Sequence, residues 1–497
     1  MSGRHQYYIL ILLVTGFFII YSYPVMVSPE VFFFPDEVAN FNITKVYSLT
    51  GNFYYYEDLN FIAEGIIHPI NEIFVNGRLV PAKFLGLPLT YGTIAVTAPA
   101  VLRLLTPLLA AIGLVYFFLL LRDIYGSRLA LISTIFLGLT PFYWYWSSFT
   151  LMENVPALVM FIISLRYFFR LLKTNEPGAY ILSGLFLGLA LLMRPDYILF
   201  AAPVLMITLG RIRRLKLSSA ILSLGALVVF LGAFFILNGQ LYGSPLVTGQ
   251  HVKTEISRPF MVSGFSIGNI FANSLNLIDL APVFFLCGLL GTVYLIRDRG
   301  RLSRYVVFTV ASLLIFALYY LNDPVIGTKL HSAYGRYLLP ALVFFAPFVA
   351  YLVYNLKPKP VGLLLMAALV VTNILLVTPV ISSNLRSVED FARMRLDVAV
   401  ATEPEAVIFL DYWDRAVFPQ RRVALVKELP EADRSERLAD IAARLSEKMV
   451  PLYFLIDGNF ETGVSRQDLE RGLESRGYRL SETGYARLYR LEPPAAK

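Results

Sequence analysis

Runs of about 16–22 apolar residues, separated by short charged connectors, make up most of the chain. Few folds tolerate them. A bilayer core about 30 Å thick takes roughly 20 apolar residues in helical form. Inside it only helices and closed barrels satisfy their own backbone polar groups. Barrel strands would alternate in shorter segments, so the runs predict a polytopic helical membrane protein. Composition agrees: 57% of the 497 residues are apolar and 16% charged, against about 45–50% and about 25% in soluble domains. A soluble enzyme, a fibrous protein and a disordered chain are excluded.

Eleven spans are predicted, at roughly 6–27, 99–121, 128–146, 154–172, 179–193, 197–210, 218–237, 280–296, 305–321, 337–356 and 361–381. No A-x-A-like cleavage site follows the first run, so it reads as a retained anchor. The connectors sort by charge. One alternate set, from Arg4 through Arg122, Arg128, Arg166, Arg170, Lys173, the 211–216 and 297–304 clusters and Lys357 and Lys359, nets +13; the remaining segments net −5, giving the +8 of the chain. Positive connectors stay in the cytoplasm. The pattern predicts a multi-pass plasma-membrane protein with a cytoplasmic N-terminus and an extracytoplasmic tail. The basicity is then a topology signal with affinity for anionic membrane lipid, and no nucleic-acid partner is called for. Cys287, the single cysteine, falls inside a span, which leaves no disulfide within the chain. Asn42-Ile43-Thr44 is a glycosylation sequon.

The expected organisation is a membrane domain over 1–384, with a long first external loop at 28–98, and a small extracytoplasmic α/β domain over 385–497. The first loop is rich in aromatic and acidic residues, and its 36–50 stretch is predicted as a helix on the membrane surface. In the tail, 406–410, 423–426 and 452–456 read as strands, and 478–481 and 486–491 as a closing pair. Residues 434–447 and 466–476 read as helices, the second opened by Ser465 with Asp468 three residues on. With no phosphate loop, metal spacing or G-x-S-x-G in it, the tail reads as a cap that shapes the membrane site. Four histidines and one cysteine make a His/Cys zinc site hard to build.

The residues that could carry chemistry gather on the external side. Asp36-Glu37 follows the first span, where a carboxylate pair is costly unless solvated, paired or useful. A carboxylate there could take the proton of an incoming hydroxyl; a solvated acid at a helix start is the plainer reading. Glu153 opens the fourth span, where helix N-capping is its plain alternative. Lys83, Arg194 and Arg336 are cations on a side that charge rules disfavour, and they suit an anion such as a lipid phosphate. For Arg194 an internal pair with Asp196 is the alternative.

Four features resemble the GT-C glycosyltransferases, and above all the branch of protein O-mannosyltransferases and the lipid A aminoarabinose transferase. Pro35-Asp36-Glu37 sits where that family keeps its first-loop acid. Residues 77–83 with Pro88-Leu89 resemble its Lys-Pro-Pro-Leu stretch, although Phe84-Leu85-Gly86 follows Lys83 here. Glu153 matches the second-loop acid, and Gly335-Arg336-Tyr337-Leu338-Leu339-Pro340 the Arg-Tyr-Leu-x-Pro entry to a late span. The resemblance covers about 1–385 in layout.

It implies transfer of a sugar from a polyprenyl-phosphate donor to a glycan, lipid or protein acceptor. Asp36 would be the base, with Glu37 and Glu153 positioning acceptor or donor. Lys83, Arg336 and Arg194 would hold the donor phosphate, and His68, His331, Tyr334 and Tyr337 would contact substrate. A monophosphate held by cations needs no cofactor; a divalent ion (Mg or Mn) on Asp36 and Glu153 is the other way of holding it. The rival readings are a transporter or lipid flippase and a non-catalytic envelope scaffold. Against transport, no charge falls near the middle of a span, where coupling ions would sit.

Overall fold

The computed structural model describes residues 3–149, 151–174, 176–209, 217–254, 266–297, 303–321, 335–456, 460 and 462–493. Each of the eleven predicted spans is helical there. Among the described residues six helices are long and apolar enough to cross a membrane: 7–27, 99–125, 154–174, 221–242, 336–355 and 359–401. Four apolar helices, 177–193, 195–208, 282–294 and 306–319, are shorter. The predicted 128–146 span is not straight. It consists of Ser127–Leu139 and Pro141–Ser147, bent by 62°, with Thr140 in extended backbone between them. Proline at 141 drives the residue before it out of the helical region, and the bend follows.

The chain forms two compact units. The first takes residues 1–27, 100–236 and 258–383 and is the helical membrane part. Its helices pack through glycines and buried tyrosines. Tyr21 donates to the Gly138 carbonyl at 2.6 Å and Tyr143 to the Ala110 carbonyl at 2.7 Å; each buried hydroxyl thereby finds its acceptor. The Pro282–Arg297 and Leu339–Asn355 helices meet where Gly288 and Gly291 face Phe345 and Phe348. A Cβ on Gly291 would lie 2.1 Å from the Phe348 carbonyl oxygen. In contrast, only 6% of the apolar 221–242 window is buried, as a helix facing lipid requires.

The second unit takes residues 28–99, 237–257 and 384–497. A boundary thus falls at 383/384, and the unit that holds the tail also takes in residues 28–99, the predicted first loop, and residues 237–257. The tail opens with the outer part of the Lys359–Ala401 helix, where the sequence suggested no helix beyond 381. Its sheet has β3 (Val407–Leu410), β4 (Arg422–Leu425), β5 (Leu452–Leu455), β6 (Arg479–Glu482) and β7 (Leu488–Glu492), in the order β4-β3-β5-β7-β6. Strand β3 runs parallel to β4 and β5, and β7 antiparallel to β5 and β6. Strands β3 and β5, VIFL and LYFL, are buried at every position because both faces are covered. Val407 and Phe409 pack with Leu438, Ile441 and Leu469 on one face; Ile408 and Leu410 pack with Val398 and Val417 on the other. Ser465 caps the Arg466–Glu474 helix by accepting from the Asp468 N–H.

The first loop folds into this sheet. Leu425 donates its N–H to the Ile66 carbonyl at 2.9 Å, Ile67 bridges to Ala424 in antiparallel fashion, and Ala63, Ile66 and Ile67 join one of the two cores. Arg437 and Arg444 both reach Glu64. The loop also forms a hairpin of β1 (Glu72–Val75) and β2 (Arg78–Pro81). The predicted 36–50 helix is present as Pro35–Thr50. Its covered face carries Asp36, Glu37 and Asn40 beside Val38, Ile43 and Thr44, whereas Leu49 near its end is 75% exposed.

The glycine contact sets an expectation. Gly291→Val should lower the stability of the membrane unit by about 1–3 kcal/mol through overpacking, read as a lower melting temperature in detergent; Gly225→Ala, which meets nothing within 4 Å, serves as the neutral control.

Candidate active site

The second unit places Asp36 in a polar cluster built by the hairpin. Pro35 starts the helix with its φ already set, and the Glu37 carboxylate reaches back to accept the Phe34 N–H at 3.2 Å. Glu37, 2% exposed, is therefore a helix-start group. Asp36 is 7% exposed, and its Oδ1 accepts from Asn71 Nδ2. Lys83 Nζ lies 3.4 Å from the same oxygen. Asn71 Oδ1 accepts in turn from Lys253 Nζ at 2.9 Å. Two ammonium groups and one carboxylate thus meet around a single carboxamide.

The local sequence explains the placement. The Asn76-Gly77 turn has both residues at positive φ, +51° and +80°, the requirement of a two-residue hairpin turn. Its register pairs Glu72 with Pro81, and one step further the Ala82 N–H donates to the Asn71 carbonyl at 2.8 Å. Lys83 is the next residue. Lys253 arrives on the short Gly249–Thr254 helix, whose Gly249 packs so closely that a Cβ there would lie 2.1 Å from the Pro81 oxygen. Burial pushes the Lys253 ammonium down to about 8; Lys427 and Lys83 act in the same direction, Glu428 and Asp36 against it.

His68 is buried. Its Nδ1 donates to the Pro69 carbonyl at 2.9 Å, which leaves Nε2 as the acceptor. Burial lowers its pKa, with Lys253 and Lys427 adding to that and Glu428 opposing it. Glu72 is fully buried and accepts from the Tyr55 hydroxyl at 2.6 Å and from Asn42 Nδ2 at 2.9 Å. Burial raises its carboxyl to about 7. Asn42 is thereby engaged, and its sequon does not present a free amide.

The membrane unit holds the other candidates. Arg194 makes the internal pair: Nε reaches Asp196 Oδ1 at 2.9 Å and Nη2 reaches Oδ2 at 2.6 Å. The Tyr320 hydroxyl also donates to Asp196. Arg194 lies 4.8 Å from the Tyr337 ring centre and Arg336 5.4 Å from it, so the ring joins the two arginines. Arg336 and Glu153 are buried, the latter just before the Asn154–Thr174 helix. His331 and Tyr334 lie outside the described residues.

A divalent ion does not suit Asp36 as its surroundings stand, because an ammonium and an amide N–H both face its carboxylate. Among the described residues no three His, Cys, Asp or Glu gather as metal ligands. Asn71, Glu72 and Lys253 escaped the sequence reading. Asn76-Gly77 between Ile73-Phe74-Val75 and Leu79-Val80 was the available signal for the hairpin, and hence for Asn71 opposite Ala82. Nothing local marks Lys253.

A family model described as dolichyl-phosphate-mannose-protein mannosyltransferase matches residues 93–237. No curated protein matches the chain significantly in sequence. Among solved structures the chain is similar to ArnT from Cupriavidus metallidurans bound to undecaprenyl phosphate, with 11% identity, TM-score 0.60 and coverage of 99% of this chain and 98% of that one. The apo state of that protein gives 12%, 0.61, 91% and 93%. The archaeal oligosaccharyltransferase AglB from Archaeoglobus fulgidus, in complex with an inhibitory peptide and a dolichol-phosphate, gives 10%, 0.50, 91% and 70%.

The buried Glu72 yields a pH expectation. Its folded pKa lies above its unfolded one, so ionising it costs the fold progressively as pH rises from about 4.5 through about 7. Glu72→Gln should flatten that loss, an effect of about 3 kcal/mol at most; melting curves of wild type and variant that stay parallel from pH 5 to 8 would contradict it. The chain thus has the fold of ArnT, and its residues 93–237 match the mannosyltransferase family model, in agreement with the resemblance read from the sequence.

Proposed function

We propose that the protein transfers a sugar from a polyprenyl-phosphate donor to an acceptor hydroxyl, with Asp36 as the general base and Lys83 and Lys253 as the cations that meet the donor phosphate. The observation that carries this is the Asp36 carboxylate, bonded to Asn71 and 3.4 Å from one ammonium, with a second ammonium on the far side of the same carboxamide. ArnT with undecaprenyl phosphate and AglB with a dolichol-phosphate support the donor class. The charge bias of the connectors supports a plasma-membrane protein with its second unit outside.

In the step itself the acceptor oxygen attacks the anomeric carbon and its proton passes to the Asp36 carboxylate. The bond between that carbon and the phosphate oxygen breaks, and its electron pair leaves with the lipid phosphate. The dianion that forms gains charge through the transition state, so fixed ammonium groups stabilise it more than they stabilise the donor. No metal enters this account. In the membrane unit we carry forward Glu153, Arg336 and Tyr337 as substrate-contacting groups, while Arg194 acts through Asp196 and Tyr337. His68, fixed through Nδ1, serves as a neutral wall of the cluster.

The test uses purified full-length protein and a panel of undecaprenyl-phosphate sugars, with release of undecaprenyl phosphate as the readout. Asp36→Asn should lose at least 1,000-fold in turnover while its melting temperature and its affinity for undecaprenyl phosphate stay near wild type; turnover within tenfold of wild type sinks the base assignment. Turnover should also fall as pH rises through about 8, where Lys253 gives up its proton. Lys253→Arg, whose guanidinium stays charged, should move that fall to higher pH, and an unshifted profile would remove Lys253 from the phosphate contacts.

A further inference from the structure

We propose that Asn71 is the positioning residue of the Asp36 cluster, and that the tail holds it in place through Asp414; this rests on the transfer reaction proposed above. Asn71 uses three of its polar groups on different parts of the cluster. Nδ2 donates to the base Asp36, Oδ1 accepts from Lys253, and its backbone carbonyl accepts the N–H of Ala82, the residue before Lys83. A carboxamide is a short, uncharged side chain with both a donor and an acceptor in one plane. It therefore holds a carboxylate and an ammonium on its two sides without letting the one neutralise the other. Lys83 already lies against the base; Lys253 collapsed onto it as well would be lost to the phosphate and would crowd the base.

The backbone is committed to the same task. Asn71 has φ +72°, a left-handed conformation that asparagine, aspartate and glycine tolerate and most side chains avoid. Such a residue stays put only where its surroundings fix it. On one side the hairpin does so. On the other, the N–H of Ile70 donates to Asp414 Oδ2 at 2.9 Å, across 344 positions of sequence. Asp414 is fully buried at the start of the Asp414–Val417 helix, and Ile70 packs into the tail core with Val398, Ile408 and Val423. The tail thus does more than cover the first loop: it pins the residue that precedes the organiser of the cluster.

Four variants of the full-length protein test this. Asn71→Asp keeps the acceptor for Lys253 and sets a carboxylate against Asp36 in place of the amide. We expect turnover to fall at least 100-fold and the affinity for undecaprenyl phosphate to weaken about tenfold, because the new carboxylate pairs with Lys253 and repels the phosphate. Asn71→Gly, which suits the φ, frees Lys253 as well, so turnover should fall and affinity weaken about tenfold. Asp414→Ala should lose at least tenfold in turnover, and Asp414→Asn, whose carbonyl still accepts from Ile70, should return to within threefold of wild type.

The proposal is overturned if Asn71→Asp turns over within threefold of wild type, if it keeps wild-type affinity for undecaprenyl phosphate, or if the two Asp414 variants behave alike. A wild type that releases lipid phosphate from no sugar of the panel defeats the transfer reading instead. In that case the affinities for undecaprenyl phosphate still decide on Asn71: both Asn71 variants weakened supports it, and wild-type affinity in either refutes it.

Discussion

A carboxylate and two ammonium groups, all largely removed from water, are expensive to keep apart and easy to lose to one another. Burial without a partner costs each of them several kcal/mol; Lys83 lies 3.4 Å from Asp36, and a second ammonium on the same carboxylate would crowd it further. The Asn71 carboxamide resolves this by bonding to Asp36 with its nitrogen and to Lys253 with its oxygen. Much of the second unit follows from the need to hold that one side chain. The hairpin turn fixes its carbonyl against Ala82, Gly249 lets the Lys253 helix come within contact of Pro81, and the tail sheet anchors Ile70 beside it. The buried Glu72, next in sequence, adds a second polar knot with Tyr55 and Asn42.

Legibility in the sequence divides along the range of the forces involved. Span positions depend on local hydrophobicity, and all eleven predicted runs are helical. The tail strands and helices fall where their periodicity put them because each shows a continuous apolar run or an amphipathic repeat. The bend at Pro141 was equally local, and its proline stood in plain view. Motif resemblance reached Asp36 and Lys83 because both lie in short ordered stretches. It could not reach Lys253, which enters from a segment some 180 positions away, nor Asp414, which lies in the tail.

The same limit explains how the expected domains differ from the observed units. Chain order suggested a membrane domain carrying a long loop, followed by a separate tail. The apolar residues Ala63, Ile66, Ile67 and Ile70 belong to the tail's cores, and residues 237–257 close against the hairpin through Tyr242 and Gly249. A loop of about seventy residues has too little apolar material of its own to pay for its ordering. Joined with a five-stranded sheet it shares that sheet's core. The unit is therefore assembled from three distant segments, and no composition shift along the chain announces it.

Charge counting treats every lysine and arginine alike, and this is both its strength and its blind spot. Solvated cations obey the insertion bias because nothing else holds them. In the proposed orientation Lys83 and Lys253 stand on the side that the bias disfavours, and each is held by a specific partner: Asp36 for the first, Asn71 for the second. Arg194, another exception, is closed by a two-pronged pair with Asp196 and a stacked Tyr337. Departures from the rule thus mark cations whose energy comes from contacts rather than from water. Among them, the ones that matter for an incoming anion are those whose partners can be exchanged. A lysine bonded to a neutral amide oxygen meets that condition more readily than an arginine already matched to a carboxylate in two places, since a phosphate need only outbid the amide.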